Sequence, residues 1–461
     1  MKYFLILCVL FLMTISAVSC GQTDKEEAVL PQPVEMTNVE DHQHMMKLLG
    51  IEKLRPGANG SDENAPNAAN YDEKKANPYP DLPELLVTND GRKVTTPEMW
   101  WKVRRPEIVE LFDSEIYGRQ PGNIPKVTWE VVKTTEDTIS NVPVITREFR
   151  GIVDNSSYPA ISVKMEMSLT TPVNATGPVP VIMEFGMFLP FPSKKPTGPF
   201  AAFAGIQSWH KQCIERGWGF AVILPKTIQE DNGSGLTKGI IGLCNKGQSR
   251  KPDDWGVLKA WAWGASKALD YFETDPAVDA GQVGIEGVSR YGKASIVAMA
   301  YDQRFAAGLI ASSGKGGTAL YRRDWGERME NIADPYAYHW VAGNYMKYSS
   351  DPFSSKDLPV DTHMLIALCA PRITFLSGST REAGDGWVDT KGTFMAGVAA
   401  GPVFKLLGAG DIGTSEFPET ETPLVDGQLA FRQHKDGHQS GSNWGYFMDL
   451  CEKYGFKSVT K

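Results

Sequence analysis

The sequence predicts one large α/β domain in which a mostly parallel central sheet is covered by helices on both faces. Three observations predict it. Short, wholly apolar segments, "VPVIMEFG", "GFAVILP", "VGIEG", "AGLIASS", "ITFLSG" and "VFKLLG", read as buried strands. Helical patterns lie between them, notably "DDWGVLKAWAWGASKALDYFETD" and "DLPVDTHMLIALCAP", and buried strands alternating with helices argue for a parallel sheet. The chain has 461 residues, a length at which such folds still keep one core, and its composition is that of an ordinary globular protein.

The chain opens with "MKYFLILCVLFLMTISAVSC", a basic start followed by an apolar run and small residues, the plan of a signal peptide over residues 1–19. The run is shorter than the roughly 20 residues a spanning helix needs. With Ala17-Val18-Ser19 before Cys20, it resembles a bacterial lipoprotein signal, although Ala17 stands where leucine is usual. Cys20 is the expected lipidation site, which makes the mature protein a surface or outer-membrane lipoprotein of a Gram-negative bacterium; "DKEE" after it fits the acidic tag of such proteins. The alternative is an ordinary signal and a periplasmic or secreted protein. Residues 20–70 close with "RPGANGSDENAPNAAN", a composition too poor in apolar side chains to offset ordering entropy, and are expected to form a flexible tether, with a short helical piece near "HMMKLLGIEKL".

The α/β domain is expected over residues 71–461. It begins with "KVTWEVVKT", "PVITREFRGIV" and "AISVKMEMSLTTP", which alternate polar with apolar as half-exposed antiparallel strands do. The formal net charge is −8, and −9 once residues 1–19 are gone, because Lys2 is their only charged residue. An acidic chain without a basic run is a poor partner for phosphate backbones, so nucleic acid is excluded. Cys213, Cys244, Cys369 and Cys451 fit no metal spacing and fix no disulfide pairing.

"VGIEGVSRYGKAS" places Ser289 where a short strand turns into a helix. A serine hydroxyl becomes a nucleophile when a histidine takes its proton and a carboxylate steadies that histidine. In α/β-hydrolases such a serine sits on a tight turn flanked by glycines. Gly287 fits on the approach, whereas Tyr291 fills the position two after the serine and the glycine comes at Gly292. Arg290 and Lys293 fall in the first helical turn, where positive charge opposes the helix dipole at about 0.3 to 1 kcal/mol per group. A ligand that develops negative charge there, such as an oxyanion, would offset that cost.

The order serine, acid, histidine leaves His434 and His438 as bases, since His339 and His363 precede the best acids and His210 precedes the serine. His438, in a turn-like loop, is favoured over His434, which ends the strand "LAFRQH". The intervening Asp-Gly breaks the helix that would align both as a metal pair, so no metal is expected. "STREAGDGWVDTKG" offers Glu382, Asp385 and Asp389 as the acid, with Asp385 in a glycine-flanked loop past a strand end.

"GVSRYGK", "SSGKGGTALYRRDWGE", "HWVAGNYMKY", "DLPVDTHMLIALCAPR", "DGWVDTKG" and "HKDGH", in this order, resemble the bacterial glucuronoyl esterases, family 15 of the carbohydrate esterases. The resemblance starts at "NYDEKKANPYPDLPELL" and runs nearly to the C-terminus. It implies an α/β-hydrolase that cleaves esters between the uronate of glucuronoxylan and alcohols, including those of lignin, without a cofactor. It implies Ser289 as nucleophile, His438 as base, Arg290 as completing the oxyanion hole, Lys293 as donor to the uronate hydroxyls, and Glu327 and Trp387 as sugar contacts. Two positions depart. Ser312 stands where many members carry the catalytic glutamate, which moves the expected acid to Asp385, and Val288 replaces the usual cysteine or histidine beside the nucleophile. A monomer attached to the membrane only by its lipid is expected. The competing readings are a glycan-binding lipoprotein that has lost the reaction, motivated by Ser312, and an acetyl or feruloyl esterase.

Overall fold

The computed structural model describes residues 30–191 and 205–457. Its nine strands form one sheet: β1 (Val127–Ile139), β2 (Val142–Val153), β3 (Lys164–Pro172), β4 (Val179–Phe185), β5 (Gly219–Ile223), β6 (Val278–Val288), β7 (Ala307–Ala311), β8 (Ile373–Ser379) and β9 (Leu429–His434), in the order β1-β2-β3-β5-β4-β6-β7-β8-β9. The first three pair antiparallel, as their alternating pattern predicts, and β3 meets β5 antiparallel. From β5 through β9 every pairing is parallel. These inner strands are apolar on both faces because both are covered. Along β7, Leu309 joins a core with Trp209, Trp444 and Phe447, while its neighbour Ile310 joins the larger core that holds Trp261, Val297 and Phe394. Each such fully buried side chain contributes roughly 1.5 to 3 kcal/mol.

The helices that build those layers are α1 (Asn38–Leu48), α2 (Arg105–Glu115), α3 (Ser208–Glu215), α4 (Val257–Phe272), α5 (Arg290–Tyr301), α6 (Thr362–Ala367), α7 (Thr390–Leu406) and α8 (Trp444–Lys453), with shorter turns between. Among the described residues no helix is long and apolar enough to cross a membrane.

Two expectations need correction. "VFKLLG", expected as a strand, is the end of α7, and the outer parallel strand is β9 instead. A short apolar run carries no period, so a buried helix end and a buried strand look alike in sequence. Residues 30–70, expected as tether, are packed against the domain. Thr37 caps α1 with a full capping box, Met45 is buried, and Tyr338 donates its hydroxyl to Asp41 at 2.7 Å. Beyond α1, Leu49, Ile51 and Leu54 pack against the core, and hydrogen bonds hold the segment further: Asn331 pairs with the Ala58 N–H and C=O at 2.9 and 3.0 Å, and Arg55 donates to Glu330, Tyr348 O and Phe353 O. The signal segment, Cys20 and residues 20–29 lie outside the described residues. Cys213, Cys244, Cys369 and Cys451 are free thiols.

Candidate active site

Parallel strands bring their C-terminal ends, and the loops that follow, to one edge. Ser289 follows β6, Ser312 follows β7, Asp385 follows β8 and His438 follows β9, so the order β6-β7-β8-β9 sets all four along that edge. Ser289 has φ +61° and ψ −127°, strained for a residue with a side chain and the mark of a nucleophile turn. The two glycines make the turn possible. A Cβ at Gly287 would meet Tyr291 O at 2.3 Å, and one at Gly292 would meet Ala311 O at 2.8 Å. The second glycine's steric task therefore falls three residues after the serine, which frees Tyr291 to pack its ring against Trp261 and Phe185. Among the described residues, Ser289 Oγ takes part in no side-chain hydrogen bond.

Of the three candidate acids, Asp385 alone meets a histidine. Its Oδ1 lies 2.6 Å from His438 Nδ1, and its Oδ2 accepts from Ser312 Oγ at 2.6 Å and from the Ser379 N–H at 2.8 Å. The carboxylate is buried, and three donors fix it. Ser312, at the place of the expected glutamate, thus serves the acid that has moved to the next strand. Glu382 is exposed, and Asp389 caps α7 through the Gly392 N–H and pairs with Arg323 at 3.0 Å. His434 is fully buried, with Nδ1 accepting from the Asp436 N–H at 3.2 Å, so it does not converge with His438 on a common ligand. His438 keeps 43% of its side chain exposed and, with Nδ1 engaged, presents Nε2 for proton transfer.

Each cation of the first helical turn has its own carboxylate. Arg290 donates to Asp231 Oδ2 at 2.7 Å and lies 5.4 Å from the Trp340 ring centre. Asp231 also accepts from Trp340 Nε1 at 2.7 Å and lies 3.1 Å from His339 Nε2. Burial pushes the Asp231 carboxyl up, but the bonds from His339 and Trp340 and the Arg290 charge outweigh it and hold the group well below the usual carboxylate range. Lys293 is buried: its Nζ donates to Ser313 O at 2.6 Å and Lys315 O at 2.5 Å and lies 3.4 Å from Glu327 Oε2. Burial pushes its ammonium below the ordinary lysine value, with Glu327 opposing.

The structure thus places Lys293 and Glu327 differently from what sugar contact alone suggests. All three ammonium hydrogens have acceptors inside the protein, and Glu327, which also accepts from the Lys315 N–H at 2.9 Å, is the carboxylate partner of that ammonium. Trp387 is partly exposed, and its carbonyl accepts from the Glu327 N–H at 2.9 Å. Sequence reasoning missed Asp231, His339 and Trp340. "HWVAGNYMKY" belongs to the resemblance, but chain order tests His339 only as a base and not as a ring that steadies a carboxylate 108 residues away.

Comparison with known proteins shows the family to which the chain belongs. A family model described as "Glucuronyl esterase, fungi" matches residues 247–408. The structure of a CE15 glucuronoyl esterase from Teredinibacter turnerae T7901 is 38% identical, with a TM-score of 0.84, over 91% of this chain and 100% of that one. A glucuronoyl esterase from Solibacter usitatus is 32% identical, with a TM-score of 0.72, over 83% of this chain and 100% of that one. Carbohydrate esterase MZ0003, from an unknown prokaryotic organism, is 29% identical over 420 residues, 84% of this chain and 93% of that protein. With a nucleophile turn, a His438–Asp385 pair and 38% identity over 91% of its length to a solved member, the chain belongs to the glucuronoyl esterases of carbohydrate esterase family 15.

Proposed function

We propose that the protein hydrolyses esters of glucuronic or 4-O-methyl-glucuronic acid in glucuronoxylan, including esters to lignin alcohols, through an acyl-enzyme on Ser289. It is a carboxylic ester hydrolase of the glucuronoyl type. The single observation that carries the mechanism is the His438–Asp385 contact of 2.6 Å at the sheet edge that also carries Ser289. His438 Nε2 takes the hydroxyl proton as Ser289 Oγ bonds to the ester carbon. The alcohol then leaves with that proton, and water activated by the same nitrogen releases the uronate. Asp385 holds the ring in the tautomer that leaves Nε2 basic. The Ser289–His438 hydrogen bond forms with substrate in place, as catalytic bonds long or absent in the free enzyme commonly do. The free N–H groups at the start of α5 and the Arg290 guanidinium receive the oxyanion.

A non-catalytic glycan-binding reading was motivated by Ser312, and Asp385 removes that motive by supplying the carboxylate. Benzyl glucuronate decides between them: Ser289→Ala is expected to abolish turnover with the melting temperature unchanged, and retained turnover would refute the role. The same reading has the protein exported and held at the outer membrane by a lipid on Cys20, supported by the segment that precedes it. Cys20→Ser should move the protein from the membrane to the soluble fraction, and unchanged fractionation would exclude the anchor.

A further inference from the structure

We infer that the N-terminal loop Asn59–Ala68 is a wall of the substrate site, and that Gly60 sets the position of Trp387 by letting the loop backbone lie against its indole. This rests on the reading of Trp387 as a sugar platform. Asn59 and Ala68 form a β-bridge that closes the loop, with the Asn59 N–H donating to Asn67 O and the Ala69 N–H to Asn59 O, both at 2.8 Å. Asn59 Oδ1 ties the tip by accepting from the Ser61 and Asp62 N–H groups at 2.9 and 3.1 Å. The closed loop is a preorganised object, and it sits on the segment that delivers both Asp385 and Trp387. A Cβ at Gly60 would lie 2.8 and 3.0 Å from two carbons of the Trp387 ring, closer than carbon atoms approach.

Glu63 of the loop and the residues just after it hold the same segment and its neighbour at Trp325 and Gly326. The Arg381 guanidinium lies over the Tyr71 ring at 4.1 Å, and Glu63 reaches Arg381 at 3.8 Å. Tyr71 meets Trp325 edge to face at 5.6 Å, and Trp325 Nε1 donates to Gly386 O at 3.0 Å, one residue before Trp387. The Gly326 N–H donates to Asn70 O at 3.0 Å. One face of the indole is therefore set by Gly60, and Ser61, Asp62 and Asn64 stand exposed beyond it, where polar side chains suit sugar hydroxyls past the uronate.

The test uses Gly60→Val, the milder Gly60→Ala, Trp387→Ala and the Gly60→Val/Trp387→Ala double variant, with benzyl glucuronate as the sugar ester and p-nitrophenyl acetate as the ester without a sugar. Gly60→Val should raise KM for the sugar ester roughly tenfold, with kcat within about twofold, and lower selectivity over acetate to match; Gly60→Ala should follow in the same direction. In the Trp387→Ala background, which has no ring to meet, the Gly60 change should add nothing. The inference is overturned if Trp387→Ala raises KM and Gly60→Val does not, if the two effects add in full, or if both esters suffer equally with a falling melting temperature. If Trp387→Ala itself leaves sugar-ester KM unchanged, the platform reading fails first, and the inference with it.

Discussion

At the scale of single residues, the site turns on a carboxylate moved from one strand end to the next. Ser312 has no charge to offer a histidinium, yet its hydroxyl donates to Asp385 Oδ2 while His438 occupies Oδ1. The two residues therefore differ in kind: Asp385 supplies the charge, and Ser312 helps aim it. Asp385→Asn should lower kcat on a glucuronate ester by about 10³ to 10⁴, because an amide can hold the ring in the wrong tautomer. Ser312→Ala removes one donor of three and should cost less than about tenfold. Equal small losses from the two variants would show that the acid lies elsewhere. Ser289, Asp385 and His438 were legible in sequence because glycine-flanked turns and chain order constrain them. Asp231 was not, since its partners come from the start of α5 (Arg290) and from a distant helical turn (His339 and Trp340), and an aspartate in "QEDNGSG" reads as an ordinary turn residue.

At the scale of elements, β4 and β6 lie in parallel register with Glu184 opposite Glu286, three residues before the nucleophile. Two carboxyl groups on adjacent strands, near His210 and Ser440, cannot both ionise cheaply. Burial raises Glu286 from 4.5 to about 7, although a hydrogen bond from Ser440 pulls the other way, and burial together with the Glu286 charge raises Glu184. A carboxyl raised in the folded state binds its proton more tightly there than in the unfolded chain. Its contribution is complete below pH 4.5 and is lost as pH rises through about 7. Glu286→Gln keeps the shape without the charge, so it should match the wild type near pH 4.5 and exceed it by roughly 1 to 3 kcal/mol at pH 8. Thermal melts across that range measure the gap, and a gap independent of pH would show that Glu286 does not titrate there. The strands themselves were legible as apolar runs; what sequence could not supply was register, which alone sets two isolated glutamates side by side.

At the scale of the whole molecule, residues 30–70 belong to the folded body, against their composition. Gly, Asn, Pro and Ser offer little apolar area, and that led to the expectation of a tether. The segment instead docks through α1, where Met45 is buried against Gly343 and His42 Nε2 lies 2.8 Å from Ala333 O, and then through Arg55, which bonds Glu330 and the Tyr348 and Phe353 carbonyls, and the Ala58 backbone, which Asn331 holds, bonds that are invisible to a hydropathy pattern. Several of its contacts fall on residues 330–353, the stretch that carries His339 and Trp340 and so holds Asp231 and Arg290. Stability and catalysis should consequently fall together when it is removed. A chain beginning at Leu30 keeps every one of these contacts and should melt with the full-length mature protein. A chain beginning at Asn70 loses Met45, the Tyr338–Asp41 bond and the Arg55 cluster, and should melt lower by an amount on the order of 10 °C, with kcat on glucuronate esters reduced as the Arg290 support loosens. Melting curves and turnover measured on the two truncations decide it: equal melting temperatures would return residues 30–70 to the role of a tether.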